Sequence, residues 1–472
     1  MSPVATPQRR RYAPPLIPIV LAVSLFMENM DSTVITTSLP AIAADVGEPP
    51  LALKLALTSY LVSLAVFIPI SGWVADRYGS RTVFASAIVV FMAASVLCAF
   101  ATTLPQFVAF RFIQGIGGAM MVPVGRLVLM RSIPKNEYVA ALNYLTIPAL
   151  LGPIIGPGLG GAITLYLHWR WIFLINVPIS ALGLFLVLRH IPDVREQRIR
   201  QFDLRGFLLS GIGLSLLMLG LSALGGHLFP ARITATCVAL GAVSLALYGW
   251  HAMHVRHPVI DLRLFRLPTF RNGVAVGSLF RIGVGATPFL LPLLLQIGFG
   301  VDPLTSGLIT CASAIGAMFM KTVSVAILRR WGFRTVLSVN GAIASLAVAG
   351  FGLFSANTSH VLIVAVLMFS GCLRSLQFTA LNAIAFADIV PEDMSQAASV
   401  SSMVQRLSQS MGIAAAAYIL EISSELRGHP SINQGDFLVA FIVIALISLA
   451  SIPLHRRLAK DAGIVVSGHA PA

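Results

Sequence analysis

The sequence contains very few charged residues for its length. Only 11% of its 472 residues are Asp, Glu, Lys or Arg, whereas soluble globular domains carry about 25%. Hydrophobic residues make up 57% of the chain, and the mean hydropathy is +0.87. This composition excludes an ordinary soluble domain and indicates a polytopic membrane protein.

The sequence also lacks the short motifs of several function classes. Its four cysteines show no C-x-x-C spacing, which favours free thiols over a redox pair or a zinc site. It contains no H-E-x-x-H, P-loop or G-x-S-x-G motif and no cofactor fingerprint. We therefore expect no enzymatic activity, no bound metal and no cofactor.

Apolar runs that are long enough to cross a membrane recur along the whole chain. About 20 helical residues cross a hydrocarbon core of ~30 Å, and the runs lack the alternation of a β-barrel. Fourteen runs predict an all-α integral membrane protein with fourteen transmembrane helices. Their predicted limits are residues 16–39, 51–74, 83–103, 106–129, 138–164, 170–189, 206–226, 232–251, 270–297, 304–328, 334–354, 359–387, 396–421 and 435–455.

The basic residues are distributed unevenly between the two sides of these spans. Most of the 32 Lys and Arg residues fall in the tails and in every second loop. The loops on the other side contain only Lys54, Arg170, Arg232 and Arg427. The positive-inside rule then predicts that both termini are cytoplasmic. The formal net charge of +14 thus reflects membrane topology and does not indicate a nucleic-acid partner.

One short stretch occurs twice. GWVADRYGSRTVF, residues 72–84, has a near-copy in AILRRWGFRTVL, residues 326–337, at a constant offset of 253 residues. Both copies follow an even-numbered span, so the two halves of the chain share one orientation, as in transporters built from parallel repeats. The offset exceeds six spans by about two, and the runs at 206–226 and 232–251 account for the excess.

Several longer motifs occur in a fixed order along the chain. They are MENMDSTVITTSLP in span one, GWVADRYGSR after span two, RFIQGIGGAMMVPVGRLVLMRSIP in span four, LLGPIIGPGLGG in span five, WRWIFLINVP at span six and FLLPLLLQIGFGVDPLTSGL around spans nine and ten. In this order they resemble the major facilitator superfamily, in particular its fourteen-span drug:proton antiporters and, among them, the MdtD-like multidrug-resistance group.

The resemblance implies a fold and a function. The expected fold is the major facilitator fold, with two pseudo-symmetric six-helix bundles plus two extra central spans. Residues 1–190 would form the first bundle, 191–257 a cytoplasmic linker with the two inserted helices, 258–458 the second bundle and 459–472 a cytoplasmic tail. The expected function is proton-coupled export of small molecules by alternating access, of the multidrug-efflux type, across a bacterial cytoplasmic (inner) membrane. The implied partners are a small-molecule substrate, protons as the coupling ion and membrane lipid, without nucleic acid, and we expect a monomer.

The repeated loop is expected to form a cytoplasmic latch in this family. Gly72 would allow a close helix approach, Gly79 would permit a tight turn, and Asp76 would join a charge cluster. The second copy has Arg329 in place of Asp76, so its latch would use other acids, such as Asp388, Glu392 or Asp393. Positive-inside anchoring alone is the alternative. The latch residues are Gly72, Asp76, Arg77, Gly79, Arg81, Arg330, Gly332 and Arg334.

Span five is rich in glycine and proline. Proline removes a helix hydrogen bond and glycine lets a neighbouring backbone approach, so a bend and a packing hinge are expected here. The segment resembles the antiporter motif of exporters, although helix packing without directional meaning is the alternative. The residues concerned are Gly152, Pro153, Gly156, Pro157, Gly160 and Gly161.

Two acids in span one are the candidates for proton coupling. Glu28 and Asp31 are three residues apart and share a helix face. Two carboxylates in a low-dielectric site do not both ionise easily unless a cation neutralises one of them. Arg111, which matches the arginine of the family's RxxQG motif, is the expected partner of Asp31. We predict that Asp31 is the main proton carrier and that Glu28 tunes it or contacts substrate; a static salt bridge is the alternative.

Cations outnumber acids in the predicted membrane interior, and ions at this depth normally face a cavity or a partner. The expected substrate cavity contains Glu28, Arg111, Gln114, Arg281, Gln296, Lys321, Arg374 and Arg406. The family suggests drug-like substrates, whereas the excess of second-half cations favours organic anions such as carboxylates or anionic metal chelates. Both substrate classes stay open here. A channel or a membrane-embedded enzyme is the alternative from another class.

Overall fold

The computed structural model describes residues 16–132, 138–191, 201–224, 230–256, 258–428, 432–459, 461–467 and 469. Within these ranges the chain forms helices and turns and no β-strand. Residues 192–200 of the predicted linker and residues 460, 468 and 470–472 of the predicted tail lie outside them. The all-α prediction is confirmed.

The described residues contain fourteen membrane-length helical segments, which we number α1–α14 in chain order. The long tract between α9 and α12 bends at Gly332, so residues 303–331 form α10 and residues 333–351 form α11. The segments are Leu16–Val34, Pro50–Tyr78, Ser80–Ala99, Leu104–Ser132, Tyr138–Tyr166, Trp171–His190, Leu204–Ser222, Ala231–His254, Pro268–Gly298, His360–Ala385, Met394–Leu426 and Gln434–His455, with Pro303–Phe351 as the long tract.

By length and hydropathy alone, eleven of the described helices qualify as membrane spans. The other spans have a physical explanation. Pro303–Phe351 is 49 residues long and counts once, although its backbone leaves helical geometry at Gly332. In α5, Leu151–Tyr166 forms a shorter apolar helical stretch. The helix α13 is richer in serine and glutamine than the others, and much of it packs against protein.

The two copies of the repeated stretch form the same turn. Gly79, between α2 and α3, has a φ of 94°, and Gly332, between α10 and α11, has a φ of 69°. Residues with a side chain rarely adopt this left-handed region, so glycine is required at both positions. The expected tight turn is confirmed in both copies. We call the end of the molecule that holds these two turns the basic side, and the opposite end the far side.

The two inserted helices pack asymmetrically. The helix α7 contacts α2 of the first half, α1–α6, and α13 of the second half, α9–α14, whereas α8 packs mainly on α7. At their basic-side ends, Asp203 Oδ1 lies 2.8 Å from His251 Nε2. The helix α7 therefore covers the seam between α2 and α13, and α8 leaves apolar side chains such as Leu240 and Leu247 exposed on the outside.

The two halves meet closely at the far side. Pro157 and Gly161 of α5 pack directly on the backbone of Gly307 and Pro303 of α10. Near the basic side, α10 is instead exposed at every residue from 318 to 326 except Met320 and Ser324. A helix that faced lipid on one side and protein on the others would expose a single stripe of residues. The exposure around most of the helix here therefore indicates open space beside α10. The pathway between the halves is therefore closed at the far side and open towards the basic side.

Candidate functional site

Asp31 lies at the centre of a buried polar cluster between α1, α4 and α6. Its Oδ2 accepts a hydrogen bond of 2.7 Å from Arg111 Nη1. Its Oδ1 accepts bonds of 2.9 Å from Gln114 Nε2 and 2.8 Å from Asn176 Nδ2. All four side chains are buried. The expected pairing of Asp31 with Arg111 is confirmed, and three donors compensate the carboxylate for the loss of water.

Neighbouring residues hold this cluster in place. Gln114 Nε2 also donates to Ser95 Oγ of α3 at 2.8 Å, and the Arg111 guanidinium lies 4.3 Å from the centre of the Tyr60 ring of α2. Sequence reasoning missed Asn176, although the residue belongs to the quoted WRWIFLINVP motif. A polar amide near the start of an apolar span was the available signal.

Glu28 faces a different partner. It is buried, and its Oε1 accepts a single bond of 3.2 Å from Arg406 Nη2 of α13. The pair joins the first half to the second half, whereas the Asp31 cluster belongs entirely to the first half. Glu28 and Asp31 thus start from one helix face but have separate cationic partners.

A cavity of about 120 Å³ lies between the halves, with room for several water molecules. Hydroxyl groups, including those of Thr33, Thr310 and Ser370, share its walls with apolar side chains such as Phe280 and Phe351. Arg374 of α12 lines it, half-buried, and makes no ion pair with any described residue. Of the predicted cavity residues, Arg374 is the one that lines this space.

The other predicted cavity residues need correction. Arg281 is fully buried and donates to Gly273 O at 2.9 Å and to Asn382 Oδ1 at 3.1 Å, away from the cavity walls. Gln296 Nε2 donates to Thr37 O at 2.9 Å, so it joins the two halves at the closed far side. Sequence periodicity gives the face of a helix but not which neighbour that face meets.

Lys321 was predicted to be interior, and the structure shows it exposed. Seven residues separate it from Ala314, a cavity-lining residue of the same helix, so the two side chains lie within about 20° around the helix axis. Lys321 therefore stands on the open basic-side part of α10, two turns away from the cavity. Because this part of α10 is largely exposed, the Lys321 ammonium group avoids the free-energy cost of burial.

An ion pair at the far side was not anticipated. Lys54 of α2 is fully buried, and its Nζ lies 2.8 Å from Glu421 Oε1 of α13. Lys54 Nζ also donates to Leu224 O, just after α7, at 3.4 Å. This contact ties the first half, the second half and an inserted helix together. The partners are 367 residues apart in sequence, so no local sequence pattern predicts this pair.

The four arginines of the predicted latch make few contacts within the described part of the chain. Arg77 and Arg330 are exposed, Arg81 and Arg334 are half-buried, and none of the four makes an ion pair within the described part of the chain. Asp388 accepts a bond of 2.8 Å from Thr269 Oγ1. The prediction for Gly72 is wrong here, because a side chain at this position would meet no atom within 4 Å.

The glycines of α5 face two different helices. A Cβ atom at Gly152, Gly156 or Gly160 would collide with α1, and one at Gly161 would collide with α10. Gly152, Gly156 and Gly160 follow a spacing of four residues, so they form one flat stripe on the helix. The expected close packing is confirmed, and the helix is unbroken from Tyr138 to Tyr166.

We expect Gly160→Ala to destabilise the protein by ~1–3 kcal/mol, because the new methyl group would push α1 away from α5. Gly72→Ala, an equally small change in the other glycine motif, should leave stability unchanged since open space surrounds that position. Thermal unfolding of both variants in the same detergent measures the difference. Equal melting temperatures would contradict the packing described for α5.

Comparison with known proteins decides the family. The Major Facilitator Superfamily profile matches residues 21–413 and 275–462. A multidrug resistance protein MdtD of Serratia proteamaculans is 37% identical over 457 residues, covering 94% of this chain and 95% of its own. The chain belongs to the major facilitator superfamily. A second MdtD protein, from Escherichia coli O6:H1, is 38% identical over 433 residues, covering 92% and 91%.

Solved structures of major facilitator proteins agree with the fold. A D-xylose–proton symporter superposes with a TM-score of 0.69 at 14% identity, covering 95% of this chain and 98% of its own. A bacterial homologue of the human lysosomal transporter Spinster gives a TM-score of 0.61 at 15% identity, covering 98% and 100%. The predicted family, fold and transporter class are therefore confirmed, and the chain is a multi-pass membrane protein.

Proposed function

We propose that this protein is a proton-coupled exporter of small molecules, of the multidrug-efflux type. Its relatives are named for multidrug resistance. The observation that carries the coupling is the pair of buried acids in α1, each placed against an arginine, with Glu28 joined to the opposite half. The basic side would face the cytoplasm under the positive-inside rule, and the structure would then be the inward-facing state.

Transport would proceed by alternating access. Substrate enters the cavity from the open basic side, and the halves then rock about the cavity so that the far side opens. A proton that enters from outside drives the return, because one charge that moves inward through 100 mV is worth ~2.3 kcal/mol. The helix α5 packs on both α1 and α10 through backbone contacts, which supports a role as the surface on which the halves move.

Flux measurements in liposomes test this proposal. Purified protein would be reconstituted with a pH-sensitive dye inside, under an imposed pH gradient, and offered a cationic dye, a neutral antibiotic or succinate. We expect the addition of at least one of these compounds to change the internal pH, because protons cross the membrane in exchange for it. Liposomes with Asp31→Asn protein should lose this response. Substrate flux that ignores the pH gradient would defeat proton coupling.

An organic anion is the second candidate substrate class. Arg374 supports it, because this arginine has no acidic partner among the described residues and lies at the wall of a polar and apolar cavity, where it could pair with a carboxylate. We expect succinate to raise the melting temperature of the protein, and Arg374→Ala to remove this shift. Arg126→Ala is the matched control, since Arg126 is exposed on α4. No shift in the wild-type protein would defeat the anion proposal.

A further inference from the structure

The two acids of α1 are unequally satisfied. Asp31 receives hydrogen bonds from three donors on two helices, so both of its oxygens are occupied. Glu28 receives one bond of 3.2 Å at Oε1, and its buried Oε2 has no partner among the described residues. An ionised carboxylate that is removed from water needs such partners, and one that lacks them is stabilised by a proton.

The surroundings of Glu28 contain few other charges. The groups that face it are Asp31 on its own helix, Tyr60 on α2, whose buried hydroxyl is placed to donate to the Glu28 carboxylate, and Arg406 on α13. The helix α5 meets α1 with Gly152, Gly156 and Gly160, which carry no charge, and α6 contributes the neutral Asn176. Arg111 of α4 is bonded to Asp31. Arg406 is therefore the cation whose position decides whether Glu28 stays ionised.

We propose that Glu28, and not Asp31, is the carboxyl group that gains and loses the transported proton, and that its ion pair with Arg406 is a brake on the empty carrier. This inference rests on the proposed exporter function. An antiporter wastes its gradient if the halves exchange positions with neither proton nor substrate bound. The Glu28–Arg406 pair joins the two halves only while Glu28 is ionised, so it resists the movement of the empty, unprotonated form.

Protonation and substrate binding each break the Glu28–Arg406 ion pair, in two different ways. A proton from the outer side binds the free Oε2 of Glu28, converts the carboxylate to a carboxyl group and releases Arg406. On the cytoplasmic side the proton leaves, and substrate in the adjoining pathway separates the pair instead. Asp31 keeps its charge throughout and holds Arg111, Gln114 and Asn176 in place, so it acts as a positioning residue.

Infrared spectroscopy can observe the proton without knowledge of the substrate. Purified protein in lipid would be titrated from alkaline to acidic pH, and the carbonyl band of a protonated buried carboxyl group recorded. We expect one such titrating band in the wild-type protein and in Asp31→Asn, and its loss in Glu28→Gln. Glu425→Gln, the same substitution at an exposed glutamate of α13, should keep the band. Size-exclusion chromatography confirms that each sample is folded.

Each outcome supports or overturns the assignment. A band that survives in Glu28→Gln, disappears only in Asp31→Asn, or is absent from the wild-type protein overturns it. Glu28→Gln and Glu425→Gln alone decide the result if Asp31→Asn fails to fold. The measurement is separate from export: a band that belongs to Asp31 would leave the exporter proposal standing. Absence of pH-driven flux with a band at Glu28 would instead defeat the exporter proposal alone.

Discussion

Glu421→Ala should open the far side of the molecule to water. The substitution leaves the fully buried Lys54 amine without its carboxylate, which costs ~3–5 kcal/mol when one partner of a buried ion pair is removed. Only the conformation with a closed far side bears this cost, because Lys54 becomes hydrated once the halves separate there. A shift of that size changes the ratio of the two conformations more than 100-fold.

Cysteine labelling measures this opening. Leu51 is buried at the far-side start of α2, so a membrane-impermeant maleimide should label Leu51→Cys slowly in a background without the native cysteines. Labelling should become fast with Glu421→Ala and stay slow with Glu425→Ala, an exposed residue one turn along α13. Exchanging the charges, with Lys54→Glu and Glu421→Lys, should restore slow labelling. Wild-type labelling rates in Glu421→Ala would contradict a gating role for the pair.

Arg111→Leu should destabilise the protein severely and abolish export. The buried Asp31 carboxylate would keep its two amide donors but lose the only cation bonded to it among the described residues. We expect a loss of ~3–5 kcal/mol. Adding Asp31→Asn removes the stranded charge, so the double variant should recover most of the stability without recovering transport.

Thermal unfolding and flux on the same four proteins test this cycle. Arg126→Leu is the control, because Arg126 lies on the same helix but is exposed, and its effect on stability should be within ~0.5 kcal/mol. Additive losses in the double variant would show that Asp31 and Arg111 do not interact energetically. The pairing would then have no role in holding α1 to α4.

Features that depend on the chain's own periodicity were predictable from sequence. Span length, the repeated turn and the stripe of glycines on α5 follow from local geometry, and the structure places them close to the expected residues. The turn is the clearest case, because Gly79 and Gly332 must be glycine for the same backbone reason. The pairing of Asp31 with Arg111 was predictable through the resemblance to the family.

Contacts between distant helices were not predictable. Arg281 and Arg374 both looked like interior cations, yet one bonds backbone and Asn382 while the other lines the cavity. The difference depends on how α9 and α12 rotate against their neighbours, which no spacing within either helix reveals. Lys54 and Glu421 were missed for the same reason, and Gly72 was misread because its motif says nothing of what lies opposite.

Distances across the halves, measured by electron paramagnetic resonance, give the sharpest test of proton-controlled alternating access. Spin labels would be placed at the exposed positions Tyr78 and Trp331 on the basic side, and at Phe100 and Leu353 on the far side, in a background without native cysteines. At alkaline pH without substrate we expect a long basic-side distance and a short far-side distance. Acidification should add a population with a short basic-side distance and a long far-side distance. The Glu28→Gln variant should show a mixture of the two populations at every pH. Distances that ignore pH, or that lengthen together at both ends, would contradict the mechanism.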